Sequence, residues 1–309
     1  MQVMSVTGPV DASELGVVLP HEHVFANLVR EYRGTGLLND EHLARQELEL
    51  LRELGGRTLV DLTLDEIGRD PAALRRVAEA TGITIIMGCG HYRDPYLDRD
   101  WFDRNTVDAI ADQIVADIEE GVGGTGIRAG IIGEIGADKW FVSAAEERSF
   151  RAAARAHRRT GLSISTHAAR WPVGLEQVRL LAEEDVDPRR VIVGHADTVP
   201  IPGYHLSLAR LGCYVSFDSI GTGTSYDLNR AVDYVVALVR AGFSSQVLLS
   251  HDVFLRGHLR ADGGPGYGYL LTDFLPLLVE AGLDAEQAWT FVTTNPQHAL
   301  TGIASASNA

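Results

Sequence analysis

The chain has 309 residues, 45% of them hydrophobic, and a formal net charge of −15. That acidity disfavours a nucleic-acid or anionic-membrane partner, and no stretch approaches the roughly 18 apolar residues of a membrane span. Cys89 and Cys213 are the only cysteines, so neither a disulfide framework nor a thiolate zinc site is expected. Met1–Val6 lacks a charged or apolar leader pattern, and the expectation is a soluble, cytoplasmic protein.

In chain order, residues 2–16 place a Gly8-Pro9 turn between short β-like pieces, a short N-terminal β flap. The first predicted strand covers about 16–23 and ends in His21-Glu22-His23. Residues two apart in a strand share a face, so His21 and His23 aim two imidazoles at one point while Glu22 turns away. A strand presents two nitrogens to one metal ion in this way. Asn39 or Asp40 caps a helix over 41–54, which stops at Gly55-Gly56. The buried run 58–62 is the second strand, and Asp70-Pro71 opens a helix with proline at its first position. A third strand at 83–87, a helix at about 104–120 and a fourth strand at 129–134 follow.

The alternation continues: helix 144–159 and strand 162–167, then helix 173–184 and strand 191–195. A short helix at 204–211 precedes strand 214–218, and a longer one at 226–241 precedes strand 247–252. Helices at about 268–281 and 284–299 close the chain. Eight apolar strands alternating with helices predict an α/β protein with a parallel sheet covered by helices. Closure into a (β/α)8 TIM barrel, one domain over 1–309, is the expected architecture. Residues 121–126 spell GxGxxG, but they follow a helix and lead into a strand, the reverse of a dinucleotide cradle. They are read as a loop.

Barrels of this kind place their active site at the carboxyl ends of the strands. His21 and His23 end the first strand, Glu134 the fourth, His167 the fifth, His195 the sixth and Asp252 the eighth. Any one of these alone reads as a core histidine or a surface carboxylate. Six at one rim point to a metal centre. Four imidazoles and two carboxylates suit zinc, with manganese, cobalt or iron as competitors. Six ligands are many for one catalytic ion, which must keep a position open, whereas two divalent ions bridged by a carboxylate use them all.

Seven stretches, in order, carry a family resemblance: Leu19-Pro20-His21-Glu22-His23, Gly68-Arg69-Asp70-Pro71, Tyr92-Arg93-Asp94-Pro95, residues 129–136, Gly194-His195-Ala196-Asp197-Thr198, Ser250-His251-Asp252 and Thr294-Asn295-Pro296. Through them the chain resembles the phosphotriesterase family of the amidohydrolase superfamily over nearly its whole length. The resemblance implies that His21, His23 and Asp252 hold a more buried α metal, and His167 and His195 a more exposed β metal. Many members bridge the metals with a carbamylated lysine at the end of strand four. Here Gly133-Glu134 stands in that stretch, and Lys139, the sole lysine, lies five residues beyond Glu134. The phosphotriesterase-related branch has a glutamate at the bridge, and this chain is similar to that branch. Glu134 is therefore expected to coordinate both metals, and organophosphate hydrolysis does not transfer from the lysine-bearing enzymes. A homodimer is also implied.

The expected chemistry is hydrolysis of a small ester, lactone or amide by a metal-bridging hydroxide. Asp252 would take the proton and pass it to the leaving group. Candidate substrate contacts are His91, Tyr92 and Arg93 after strand three, Arg170 after strand five, and Arg256 in the loop after strand eight. Arg256 would suit a carboxylate or phosphate. His42, His157, His205 and His298 read as structural, and Cys89 lacks a base partner for a nucleophilic role. Two readings compete. One is a phosphoester hydrolase, either a phosphotriesterase or a TatD-like nuclease, the latter in conflict with the acidity. The other is a non-catalytic, metal-stabilised ligand-binding barrel, which would need no proton acceptor at Asp252.

Overall fold

Alternating strand and helix signals resolve into one parallel sheet because each crossover helix returns the chain to the same end before the next strand starts. The computed structural model describes residues 1–137, 139–223 and 225–302. Residues 303–309, which the one-domain reading includes, lie outside that description, as do Asp138 and Thr224. The flap is a hairpin of β1 (Gln2–Ser5) and β2 (Gly8–Asp11). The first barrel strand is β3 (Val17–Glu22). A small antiparallel pair, β4 (Ala26–Asn27) and β5 (Leu37–Leu38), sits in the loop after it. Then come β6 (Gly56–Asp61), β7 (Thr84–Cys89), β8 (Ile131–Gly136), β9 (Ile164–His167), β10 (Val191–Val193), β11 (Tyr214–Phe217) and β12 (Val247–Leu249). Among the described residues these form an eight-stranded sheet in the order β3-β6-β7-β8-β9-β10-β11-β12, nearly closed as a barrel.

Side-chain alternation divides the apolar residues into two populations. Leu19, Leu59, Ile85, Ile132, Val193 and Phe217 join the large cluster under the surrounding helices. Their neighbours Val18, Val60, Ile86, Ile131, Ile192 and Leu248 form a second cluster inside the barrel. The flap and the last helix complete that inner cluster through Val3, Leu15 and Leu300. They also bond to the amino ends of the strands: Thr58 Oγ1 donates to Leu15 O at 2.7 Å, and Ser163 Oγ donates to Ala299 O. That end of the barrel is therefore plugged and dry.

The helices start where capping chemistry predicts. Asp40 accepts from His42 N and Leu43 N, Asp70 precedes the proline-led helix Pro71–Thr81, and Ser143 with Glu146 makes a reciprocal capping box for Ala144–Thr160. Six expected elements need correction. Strand 129–134 lies two residues later, at Ile131–Gly136. The strands expected at 191–195 and 247–252 stop at Val193 and Leu249. His195 and Asp252 lie beyond them, with φ of 55° and 53°. The helix over 104–120 is Arg99–Arg104 and Val107–Glu119, divided at the new cap Thr106. At the end of the chain, Leu270–Phe274 is a wide π-type turn leading into Leu275–Glu280, and 284–299 divides into Ala285–Thr290 and Thr294–Thr301. Residues 121–126 form a loop, with positive φ at Gly121, Gly123, Gly124 and Gly126.

Candidate metal centre

The centre starts from a bulge. The register of β3 against β6 shifts between Leu19 and Glu22, so three residues of β3 span two of β6. An extra residue reverses which side of the strand faces inward. Val18 packs in the barrel before the bulge, and beyond it His21 and His23 face the same interior while Glu22 turns out.

Six side chains meet at this rim. Glu134 Oε2 lies 3.1 Å from His167 Nδ1, 3.2 Å from His195 Nε2 and 3.4 Å from His21 Nε2. Its Oε1 lies 3.7 Å from His23 Nε2. Asp252 Oδ1 is 3.1 Å from His23 Nε2 and 3.7 Å from His21 Nε2. Two ligand groups with no residue in common result, His21–His23–Asp252 and Glu134–His167–His195, and a third, His21–His195–Asp218, links them; each has donor atoms within 4.8 Å of one another.

The far ring nitrogens are committed elsewhere. Asp218 Oδ2 accepts from His21 Nδ1 at 3.0 Å, and Asp218 Oδ1 accepts from His195 Nδ1 at 2.8 Å. His23 Nδ1 pairs with Thr63 Oγ1 at 2.9 Å, and Asp61 in turn accepts from Thr63 N and Val24 N. A carboxylate can only accept, so the neutral rings of His21 and His195 carry their proton on Nδ1 and leave the Nε2 lone pair for the centre. Among the described residues, His21 Nε2 is buried with no hydrogen-bond partner. An orphaned lone pair facing two carboxylates and three imidazoles fits divalent cations held by N and O donors.

The electrostatics agree. Burial opposes charge on His21 and His195, yet Asp218 and Glu134 raise both well above the ordinary imidazole range. Burial would raise Glu134, but His21, His167 and His195 hold it well below the usual carboxylate range. Burial and the neighbouring His195 push His167 down to about 4. Protons thus occupy positions that divalent cations could take, a site that binds metal in exchange for protons.

A cavity of about 690 Å³ opens on the centre and is reached by Glu134, His167, His195 and Asp252. Of the expected substrate contacts, Tyr92, Arg93 and Arg170 line it. The Tyr92 phenol lies 3.3 Å from His167 Nδ1, and Arg93 forms a two-oxygen ion pair with Glu31. His91 and Arg256 do not line this cavity. His91 is buried behind it, with Nδ1 on Glu66 at 2.7 Å and its ring beside Trp101 and Phe102. Arg256 pairs with Asp262 at 3.2 Å within its own loop. The loop is long enough to fold on itself, so position after strand eight does not bring a side chain to the centre. Arg230 reaches the cavity instead, from the helix Ser225–Arg240, beside Asp227 at 2.8 Å. Sequence reasoning missed Arg230 because it lies on a helix rather than in a strand-end loop. It also missed Asp218, although that residue follows β11 directly and carries the signal used for the other carboxylates. Lys139 stands apart from Glu134, half exposed, with Nζ over the Phe141 ring and 3.9 Å from Asp94.

Comparison with known proteins gives the family. The model of the phosphotriesterase family matches residues 1–300. The phosphotriesterase homology protein of Escherichia coli is 36% identical over 282 residues, 91% of this chain and 96% of that protein. An N-acetyltaurine hydrolase of Dictyostelium discoideum is 32% identical over 276 residues, 85% of this chain and 74% of the other. The crystal structure of a lactonase from Listeria monocytogenes superposes with a TM-score of 0.91 at 25% identity, covering 97% of this chain and 99% of that one. The chain belongs to the phosphotriesterase family and is a hydrolase of that family.

Proposed function

We propose that the chain hydrolyses a small ester, lactone or amide at a centre of two divalent metal ions. The observation that carries this reading is the position of Glu134, whose carboxylate faces imidazoles from β3, β9 and the end of β10 at once. His21, His23 and Asp252 would hold one ion, His167 and His195 the other, with Glu134 between them. Cations there supply Lewis acidity toward a carbonyl or phosphoryl oxygen and lower the pKa of a water molecule.

The chain's own groups do the rest. Asp218 and Thr63 orient the imidazoles, and the Asp218 carboxylate places the protons of His21 and His195 on Nδ1. Both candidate ligand carboxylates reach the cavity, but Asp252 is the more open of the two, its side chain 13% exposed against 2% for Glu134. It is thus the group placed to take a proton and deliver it to a leaving group. Burial holds the Tyr92 hydroxyl well above the usual phenol range, so it stays a neutral donor toward a substrate oxygen. Arg170 and Arg230, the latter paired with Asp227, place guanidinium groups on the cavity wall, which supports substrates with an anionic group, among them N-acyl amino or sulfonic acids. The resemblance to N-acetyltaurine hydrolases supports the same choice.

Nitrogen and oxygen donors support zinc. The two free, buried cysteines support a reducing compartment, the cytoplasm, and the family resemblance supports a homodimer. No helix among the described residues is long and apolar enough to cross a membrane. The test is a panel of lactones, N-acyl amino acids and phosphoesters offered to metal-loaded protein. Turnover of a lactone or N-acyl compound that a chelator abolishes is the expected result. Turnover of phosphoesters alone would favour the phosphoester reading, and inactivity throughout a non-catalytic barrel.

A further inference from the structure

The sheet begins at β3 and ends at β12, and no backbone ladder joins those two strands among the described residues. Their carboxyl ends are nevertheless tied. Asp252 N donates to His21 O at 3.2 Å, and His21 N donates to Ser250 Oγ at 3.1 Å. Glu22, the residue that turns away between His21 and His23, supplies the rest. Its Oε1 accepts from Ser250 Oγ at 2.8 Å, His251 N at 2.9 Å and His251 Nδ1 at 2.8 Å. Its Oε2 accepts from Val253 N at 2.9 Å.

Glu22 is 0% exposed, and its four hydrogen bonds all come from residues 250–253. The backbone N–H groups on both sides of Asp252 therefore end on one carboxylate. Between them Asp252 holds a φ of 53°, a left-handed backbone uncommon in side-chain-bearing residues and best tolerated by Asn and Asp, and the two N–H bonds hold it there. His251 extends the brace, since its Nε2 accepts from Leu270 N at 2.9 Å. The proton is thereby fixed on Nδ1, facing Glu22.

We propose that Glu22 is a positioning residue that closes the barrel seam with its side chain and sets the direction of Asp252. It touches neither the cavity nor the centre. Through Asp252 it governs the metal position shared with His21 and His23, and not the one formed by His167 and His195. The proposal rests on the two-metal reading.

The test is cobalt binding to metal-free protein, followed by visible absorption in competition with a chelator. Glu22→Gln preserves volume but places an NH2 group against donors on one side. It should weaken one of the two cobalt sites by about tenfold to a hundredfold, the usual cost of losing an outer hydrogen-bond partner. The other site should stay within about threefold, as independent positions do. Placed on Asp252→Asn, the same change should add less than about threefold, because the residue it acts through is already altered. Equal weakening of both sites, or an undiminished cost on Asp252→Asn, would overturn the proposal, as would unchanged binding. Should Glu22→Gln not fold, Ser250→Ala removes one of the four bonds to Glu22 together with the His21 N bond at the same seam, and must show the same one-sided loss. A wild-type protein that binds no cobalt would instead overturn the two-metal reading itself.

Discussion

The eight strands carry two different interiors along their length. Toward their amino ends Val18, Val60, Ile86, Ile192 and Leu248 fill the barrel with buried hydrocarbon. One to four residues further along the same chains stand His21, Asp61, His195 and Asp252. The first end is stabilised by excluding water from apolar surface, which tolerates exchanges of similar volume. The second end holds four buried carboxylates (Glu22, Asp61, Glu134 and Asp218) and the partly exposed Asp252 among imidazoles. Such groups are costly to bury unless they are paired or hold metal. Fold and function thus use neighbouring positions of the same strands, and mutations at the two ends should separate the two properties.

Asp252→Asn offers the largest separation. Asparagine retains an oxygen toward the centre but cannot accept a proton, so kcat should fall by about 10²–10⁴-fold, the usual range for general acid–base help. Thermal unfolding should show an intact fold. Wild-type kcat in the metal-loaded variant would remove Asp252 from the proton path.

Leu248→Ala probes the dry end. Leu248 is fully buried in the inner cluster, and the change should cost about 2–5 kcal/mol by denaturant titration. Metal content should not change. A variant that lost its metals while keeping its stability would show that the two ends are not separable.

A pH series sharpens the contrast at the ionised end. His21, His23 and His195 bind protons more tightly than free imidazoles do, and each must release its proton to ligate metal. Affinity should therefore fall as pH falls, by about tenfold or more per unit between about pH 8 and pH 6, measured by chelator competition. A flat profile would mean the imidazoles are not the ligands. The smallest effect belongs to Lys139→Met, outside both interiors. Its metal content should equal wild type, and its stability should stay within about 0.5 kcal/mol.

Much of this was legible in the sequence because the barrel repeats one pattern. Short apolar runs, down to three residues at Val191–Val193 and Val247–Leu249, announce the strands, and Asp40, Asp70 and Ser143 announce the helices. His21, His23, Glu134, His167, His195 and Asp252 stood out as ligand-type side chains ending apolar runs. What was not legible depends on the backbone leaving its regular path. His195 and Asp252 reach the centre by left-handed turns past the strand ends, and alternation does not specify such turns. The β3 bulge restores the facing of His21 and His23, a correction invisible in the letters. Glu22 was seen only as the residue that turns away, because its role depends on a strand more than two hundred residues distant.

The most direct test of the account is the metal content of purified protein grown with added zinc or manganese, by elemental analysis of the wild type beside Glu134→Gln. The account predicts two equivalents per chain in the wild type and a loss of at least one in the variant, since the proposed centre would have both cations share that carboxylate. A reproducible single equivalent in a fully active wild type, or two equivalents retained by Glu134→Gln, would contradict it.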